Sequence, residues 1–288
     1  MKYKDRLGNV TIKSNLQEDV IDTLYSHTLG RMVLKVATIP KVSQVISVAL
    51  KSKPSRVIIK PFIRSNGIDI NEYEYNYYNC YNDFFIRQIK KQNRPIDMSE
   101  NVLISPCDGK VTVYNIENNL CFKIKNSHYN IASLLNSTEL AKNFCGGICV
   151  VIRLSVDNYH RYCYPDNAQK GANIFLSGKL HTVNPIAFEH VEVFKENSRE
   201  FCILDTQNFG KMIQMEVGAL LVGKICNYHG FKDVKKGEEK GRFEFGGSTI
   251  VLLLKKDAVS IDDDILKNST DGFETLVKMG EKIGVKQN

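Results

Sequence analysis

From Val102 onward the chain is a succession of short β-prone runs, each closed by Gly, Asn, Asp or Pro, and this rhythm limits the fold more than any other feature. The runs cover 110–116, 147–154, 173–175, 191–194, 212–217 and 249–254. Runs of this length between turn residues read as strands joined by tight connections. They predict a predominantly antiparallel β-domain or barrel over residues 101–288.

Residues 1–100 have a different character. Ile21, Leu24, Tyr25, Thr28, Leu29, Met32, Val33 and Val36 follow helical spacing, with Asp19 and Asp22 early, Lys35 late, and Pro40 as the stop. Val42, Val45, Ile46 and Ala49 repeat the pattern between the basic flanks Lys41, Lys51, Lys53 and Arg56. The fold class expected is therefore α+β, with N-terminal helices ahead of the β-domain. Two readings of the helices stand side by side. They form a layer on the main core, or an interfacial surface whose apolar faces enter lipid while the basic flanks meet anionic headgroups. Periodicity alone does not separate them.

Bulk properties describe an ordinary globular protein, with 25% charged and 43% hydrophobic residues and a net charge of +7. No aromatic-basic signature points to nucleic acid. The eight cysteines form no disulfide-like framework. Cys145-Gly-Gly-Ile-Cys149 leads straight into the apolar run Val150-Val151-Ile152, so packed strand residues are expected there rather than metal ligands. The N-terminus lacks the apolar core of a signal peptide, and no apolar stretch reaches the roughly 20 residues a membrane span needs. Neither export nor a membrane span is expected.

The pentapeptide Phe245-Gly-Gly-Ser-Thr249 sits between a charged turn and the apolar run that ends the β-rich region. Glycines there permit a bent backbone and leave a carbonyl open to a nucleophile. Attack by the Ser248 hydroxyl on the carbonyl of Gly247 would cut the chain. Two histidines lie in distinctive settings, His160 among aromatic and cationic neighbours and His181 before Asn184-Pro185. An imidazole is a natural proton carrier near neutral pH. Asp108, in Ser105-Pro-Cys-Asp-Gly-Lys110, is either a plain turn residue or an acid that orients a histidine. Asp108, His160 and Ser248 together would make an acid, base and nucleophile set. A conventional hydrolase presents its serine on a strand-to-helix elbow, whereas Ser248 leads into a strand.

Taken in order, these segments resemble phosphatidylserine decarboxylases, most closely those of clostridia and related bacteria. The matching pieces are Tyr25-Ser-His-Thr-Leu-Gly-Arg31, Asn82-Asp-Phe-Phe-Ile-Arg87 with Arg94-Pro95, and Ser105-Pro-Cys-Asp-Gly109. Arg153-Leu-Ser-Val-Asp-Asn-Tyr-His-Arg161, Leu180-His-Thr-Val-Asn-Pro185, Val217-Gly-Ala-Leu-Leu-Val-Gly-Lys-Ile225 and Lys236 through Thr249 follow. The resemblance implies a proenzyme that cuts itself between Gly247 and Ser248 and turns residue 248 into a covalent pyruvoyl group, with no metal. His160 would take the serine proton and Asp108 would support the imidazolium. In the mature enzyme the ketone would condense with the amine of phosphatidylserine and accept electrons as carbon dioxide leaves, with His160, or His181 in reserve, returning a proton. The partners implied are phosphatidylserine in an anionic membrane and the protein's own two cleaved chains; a homo-oligomer is left open. The expected location is the cytoplasmic side of the cell membrane, peripherally bound.

The chain departs from the pattern at two positions. Many relatives read Asp-Tyr-His with a second histidine three positions on, where this chain has Asn158 and Cys163. Two other readings compete. One is a pyruvoyl decarboxylase for another amino substrate. The other is a non-catalytic binding module, since the Asp108-Gly-Lys-Val turn and the segment Gly218–Ile225 also resemble lipoyl-type elements.

Overall fold

The computed structural model covers the whole chain and describes residues 2–12, 40–124, 127–182, 193–219, 224–246 and 248–287. The expected first helix, with Leu29 and Met32, lies outside the described residues.

The architecture is built around the apolar run that begins at Ser248. Ser248–Leu254 is a strand buried along its whole length, as a strand covered on both faces must be. It lies between Gly210–Gly218 and Ile148–Leu154, antiparallel to both, with Ser248 opposite Gly218 on one side and Leu154 on the other. From one edge to the other, this 11-stranded sheet runs Lys232–Val234, Ala168–Lys170, Arg199–Thr206, Gly210–Gly218, Ser248–Leu254, Ile148–Leu154, Gly109–Asn115, Glu274–Val277, Lys2–Lys4 and Val10–Ile12. Ile174–Leu176 adds to Arg199–Thr206 off this path. Among the described strands all these neighbours are antiparallel except Lys2–Lys4 with Glu274–Val277.

The expected antiparallel β-region is present, but the described strands do not close into a barrel. The strands at the two ends of the order, Lys232–Val234 and Val10–Ile12, each have one paired side, so the sheet is open. Two 3-stranded sheets accompany it: Ile225–Asn227, Glu239–Phe243 and Arg161–Cys163, and Val259–Ile261, Lys282–Lys286 and Val102–Ile104. Of the predicted strand at 191–194, residues 191–192 lie outside the described residues, and the rest is a correction. Val193–Glu196 is a single helical turn, and the strand follows it at Arg199–Thr206, where side chains alternate more regularly between buried and part-exposed.

Ahead of the sheet, Pro40–Leu50 and Ile59–Asn66 are helices, and the second ends on Gly67 in the left-handed conformation. With the short helix Tyr81–Phe85 they enclose a small core of Ile59, Tyr78, Tyr81, Phe84 and Phe85. Val156 and Phe245 pack against this cluster. The helical layer is thereby seated on the two loops that flank the start of the Ser248–Leu254 strand.

Candidate active site

Ser248 is fully buried, and its Oγ has no hydrogen-bond partner; the same holds for Thr249 Oγ1. A buried hydroxyl normally finds a partner, so two orphans in succession mark an unusual place. Gly246, two residues upstream, has φ of 133°, a conformation that L side chains rarely adopt. Gly247, the other half of the expected cleavage site, lies outside the described residues. The approach to Ser248 is walled by aromatic rings. Phe245 meets Tyr81 and Phe85 edge-on at 5.2 and 5.3 Å. Its N–H points to Asn82 Oδ1 at 3.5 Å. Lys51, just after the Pro40–Leu50 helix, forms an ion pair of 2.8 Å with Glu244.

His160 reaches this region from the strand on the other side. After Leu154 the chain turns, with Asn158 Oδ1 accepting the Ser155 N–H at 2.7 Å and the Asn158 N–H donating to the Ser155 carbonyl at 2.9 Å. His160 is fully buried, with the Phe85 ring 4.1 Å away, centroid to centroid. Its carbonyl accepts the Phe243 N–H at 2.9 Å. Nδ1 lies 2.9 Å from the Asn158 carbonyl. A carbonyl oxygen only accepts, so Nδ1 carries the hydrogen and Nε2 holds the lone pair. Nε2 has no partner. Burial pushes the His160 pKa down from 6.5 to about 3, against the opposing pull of the Asn158 carbonyl and with a small further push from Arg87. The imidazole is therefore neutral at cellular pH, with its basic nitrogen free.

Asp108 does not support His160 in this structure. Its carboxylate is taken by Arg94 in a two-pronged pair, Nε to Oδ1 at 2.8 Å and Nη2 to Oδ2 at 2.6 Å, and by the Met279 N–H at 2.8 Å. The guanidinium fork matches a carboxylate better than a single imidazole N–H does. Asp108 nevertheless shares a cavity of about 360 Å³ with Tyr73, Asn158 and Tyr159, so it borders the His160 turn. A larger cavity of about 730 Å³ opens between Tyr75, Arg94, Tyr159, Arg161, Cys163 and Glu239. Ser248 lines neither of the two.

The two departures from the family pattern have physical readings. Asn158 uses its side-chain oxygen to hold the Ser155 N–H, a task an aspartate performs equally well. Cys163 is packed with Val102 and Ile104, and burial pushes its thiol up to about 12. Such a thiol does not exchange protons at neutral pH, so Cys163 does not stand in for an imidazole.

His181 approaches from the opposite flank. Its backbone N–H and carbonyl are both bound by the side chain of buried Asn197, at 2.8 and 2.7 Å, and Asn197 Nδ2 also donates to the Gly218 carbonyl at 2.7 Å. Gly218 is the residue opposite Ser248. Burial lowers the His181 pKa, partly offset by Glu196, whose Oε2 is 3.6 Å from Nε2. Both candidate histidines are thus tied to strands that pair with the Ser248 strand.

A family model described as phosphatidylserine decarboxylase matches residues 81–285. The chain belongs to that family. It is 47% identical to phosphatidylserine decarboxylase proenzyme 2 of Clostridium acetobutylicum over 91% of this chain and 90% of the relative. It is 40% identical to a phosphatidylserine decarboxylase proenzyme of Clostridium botulinum over 98% of each chain, and 41% identical to one of Clostridium perfringens over 92% of each. For a member of the phosphatidylserine decarboxylase family, motif reading singles out Ser248, His160 and His181, which the structure places on or beside strands that pair with one another. It passes over Phe85, Arg87 and Asn197, which touch them or their loops. Phe85 and Arg87 were visible in Asn82-Asp-Phe-Phe-Ile-Arg87 as matching letters, without any hint of what they touch. Asn197 gave no signal, because what it binds is backbone.

Proposed function

We propose that this chain is a phosphatidylserine decarboxylase made as a proenzyme, which cuts itself between Gly247 and Ser248 and converts residue 248 into a pyruvoyl group. One observation carries the reading. A buried serine hydroxyl without a partner stands two residues after a glycine with φ of 133°, beside a loop holding a neutral histidine whose Nε2 is also free.

In self-processing, Ser248 Oγ attacks the Gly247 carbonyl, and His160 Nε2 takes the hydroxyl proton. The peptide bond becomes an ester as the nitrogen of residue 248 leaves. Loss of the α-proton of residue 248 then expels the Gly247 carboxylate and leaves dehydroalanine, which water converts to the pyruvoyl group with release of ammonia. Phe85, Tyr81 and Phe245 keep bulk water from hydrolysing the ester early. Asp108 contributes through the Arg94 pair and the turn it borders.

The site suits a small carbonyl group at residue 248, since the adjacent Thr249 hydroxyl is buried without a partner and can donate a hydrogen bond. A pyruvoyl group supplies an electron sink for the loss of carbon dioxide from an amino-acid headgroup. His160 then holds the proton that the product needs, with His181 as the second candidate. The intact masses of the purified wild type and Ser248→Ala test the reading. Two fragments are expected from the wild type, the smaller starting at position 248 without a free amine, and one whole chain from the variant. An active wild type that stays in one piece refutes it.

A lipid substrate also gives a role to the helices Pro40–Leu50 and Ile59–Asn66 within residues 1–100 as a membrane-facing layer ahead of a catalytic region at 101–288, which also takes in the strands Lys2–Lys4 and Val10–Ile12. No described helix is long and apolar enough to cross a membrane. Val45, Val48 and Val57 are 71%, 70% and 77% exposed, and the exposed Lys53, Arg56 and Lys60 lie among them in sequence. Apolar side chains beside cations suit a peripheral contact with anionic lipid on the cytoplasmic side. Val45→Glu with Val48→Glu is expected to weaken sedimentation with phosphatidylserine vesicles. Full binding by the folded double variant sinks the idea.

A further inference from the structure

Arg87 is 2% exposed, yet no carboxylate pairs with it among the described residues. A buried guanidinium normally requires an acid or a dense set of acceptors. Here two of the four acceptors are carbonyls of the loop that carries His160. Nη2 donates to the Asp157 carbonyl at 3.0 Å, the Asn158 carbonyl at 3.3 Å and Tyr73 Oη at 3.2 Å. Nη1 donates to the Phe84 carbonyl at 3.3 Å. The guanidinium also lies over the rings of Tyr73 and Phe84, at 4.5 and 4.6 Å.

The Asn158 carbonyl is the shared point. It accepts from Arg87 Nη2 on one side and from His160 Nδ1 on the other. A carbonyl fixed by a cation cannot swing away from the imidazole, and it can bind Nδ1 only while Nδ1 bears hydrogen. If the carbonyl moves, no other bond among the described residues favours one tautomer, because the Phe85 ring packs against the imidazole at a tilt and bonds to neither nitrogen. The Nε2–H tautomer would then compete and remove the lone pair.

We propose that Arg87 is a positioning residue for His160: by holding the Asn158 carbonyl against Nδ1 it selects the Nδ1–H tautomer and leaves the Nε2 lone pair for the Ser248 hydroxyl proton. The proposal rests on the reading of His160 as the base of self-processing. It adds a residue from the helical layer that acts through a backbone carbonyl.

The test joins two readouts on the full chain. One is the rate of self-cleavage in freshly synthesised protein. The other is the tautomer of His160, read from the nitrogen resonances of labelled imidazoles in the uncut Ser248→Ala background and assigned by loss of the signal in His160→Gln. The parent is expected to show the Nδ1–H form. Arg87→Gln is expected to shift the ring toward Nε2–H and to slow cleavage by about 10- to 100-fold, by analogy with the loss of an outer-shell partner that orients a metal-bound imidazole. Arg87→Lys, which keeps the charge and one donor, is expected to recover part of both.

Slower cleavage with an unchanged tautomer makes Arg87 merely structural and overturns the proposal, as does an unchanged rate with a shifted tautomer. Should the Arg87 variants fail to fold, Tyr73→Phe removes one partner of the guanidinium without touching the loop. It is expected to move both readouts in the same direction, and no movement in either overturns the proposal. Cleavage of His160→Gln at the parental rate would instead remove the base reading itself, a failure distinct from that of Arg87.

Discussion

At the scale of single residues the site is governed by burial. His160 keeps its imidazole uncharged because burial removes it from solvent, and among the described residues no carboxylate is bonded to it to stabilise the cation. The same burial makes a prediction about acid. Above pH 6.5 both folded and unfolded chains carry a neutral His160, and it contributes nothing to the pH dependence. Between 6.5 and about 3 the unfolded chain binds a proton that the folded one refuses, so stability falls as pH falls. In the Ser248→Ala background, His160→Gln is expected to flatten this acid limb in urea titrations; equal slopes would show that the imidazole titrates normally in the fold. Ser248 and His160 were legible because their chemistry is carried by residue type. Asp108 was legible as an acid, but not in its partner. Arg94 is 14 residues upstream, and only the fold reveals that it claims the carboxylate first. Arg87 was opaque for a related reason, since its partners are carbonyls that every residue possesses.

Among the elements, the central strands were the easiest to read. The unbroken apolar run at 250–254, short and entered through Gly246-Gly247, reads as a strand covered on both sides, and it is one. The run at 191–194 misled because a short apolar stretch fits one helical turn as well as a strand. Least legible was the polar content of the strand Gly210–Gly218. Glu216, fully buried, binds Lys240, equally buried on Glu239–Phe243, at 2.6 Å. Asn227 joins the two, accepting from Lys240 Nζ at 2.8 Å and donating to Glu216 Oε2 at 3.0 Å. Burial pushes the Glu216 carboxyl up, and the Lys240 ammonium draws it back. This pair fastens a 3-stranded sheet to the large one. Lys240→Met strands a buried carboxylate and is expected to cost about 3–5 kcal/mol in urea unfolding. Adding Glu216→Leu should restore much of that. A double variant less stable than the single one would mean that the pair is worth more than its desolvation.

On the scale of the whole molecule, the proposed cut falls at the edge of a strand but in the middle of a sheet. Residues from Ser248 onward supply Ser248–Leu254, held between Gly210–Gly218 and Ile148–Leu154. They also supply Glu274–Val277, held between Gly109–Asn115 and Lys2–Lys4, and Lys282–Lys286, bound to Val102–Ile104. Arg6 adds ion pairs of 2.7 and 2.5 Å with Asp262 and Asp264. After cleavage the fragments should therefore elute together in native size-exclusion chromatography and separate only in denaturant. Separation in plain buffer would contradict the sheet order.

That interleaving bears on inheritance between molecules. A fragment held by strands on both flanks has no route for trading places with its counterpart in a neighbouring molecule short of global unfolding. Mixed populations of heavy- and light-isotope enzyme should stay unmixed through indefinite storage. On the proposed cut, each large fragment would keep the small one with which it was synthesised for as long as the fold stands.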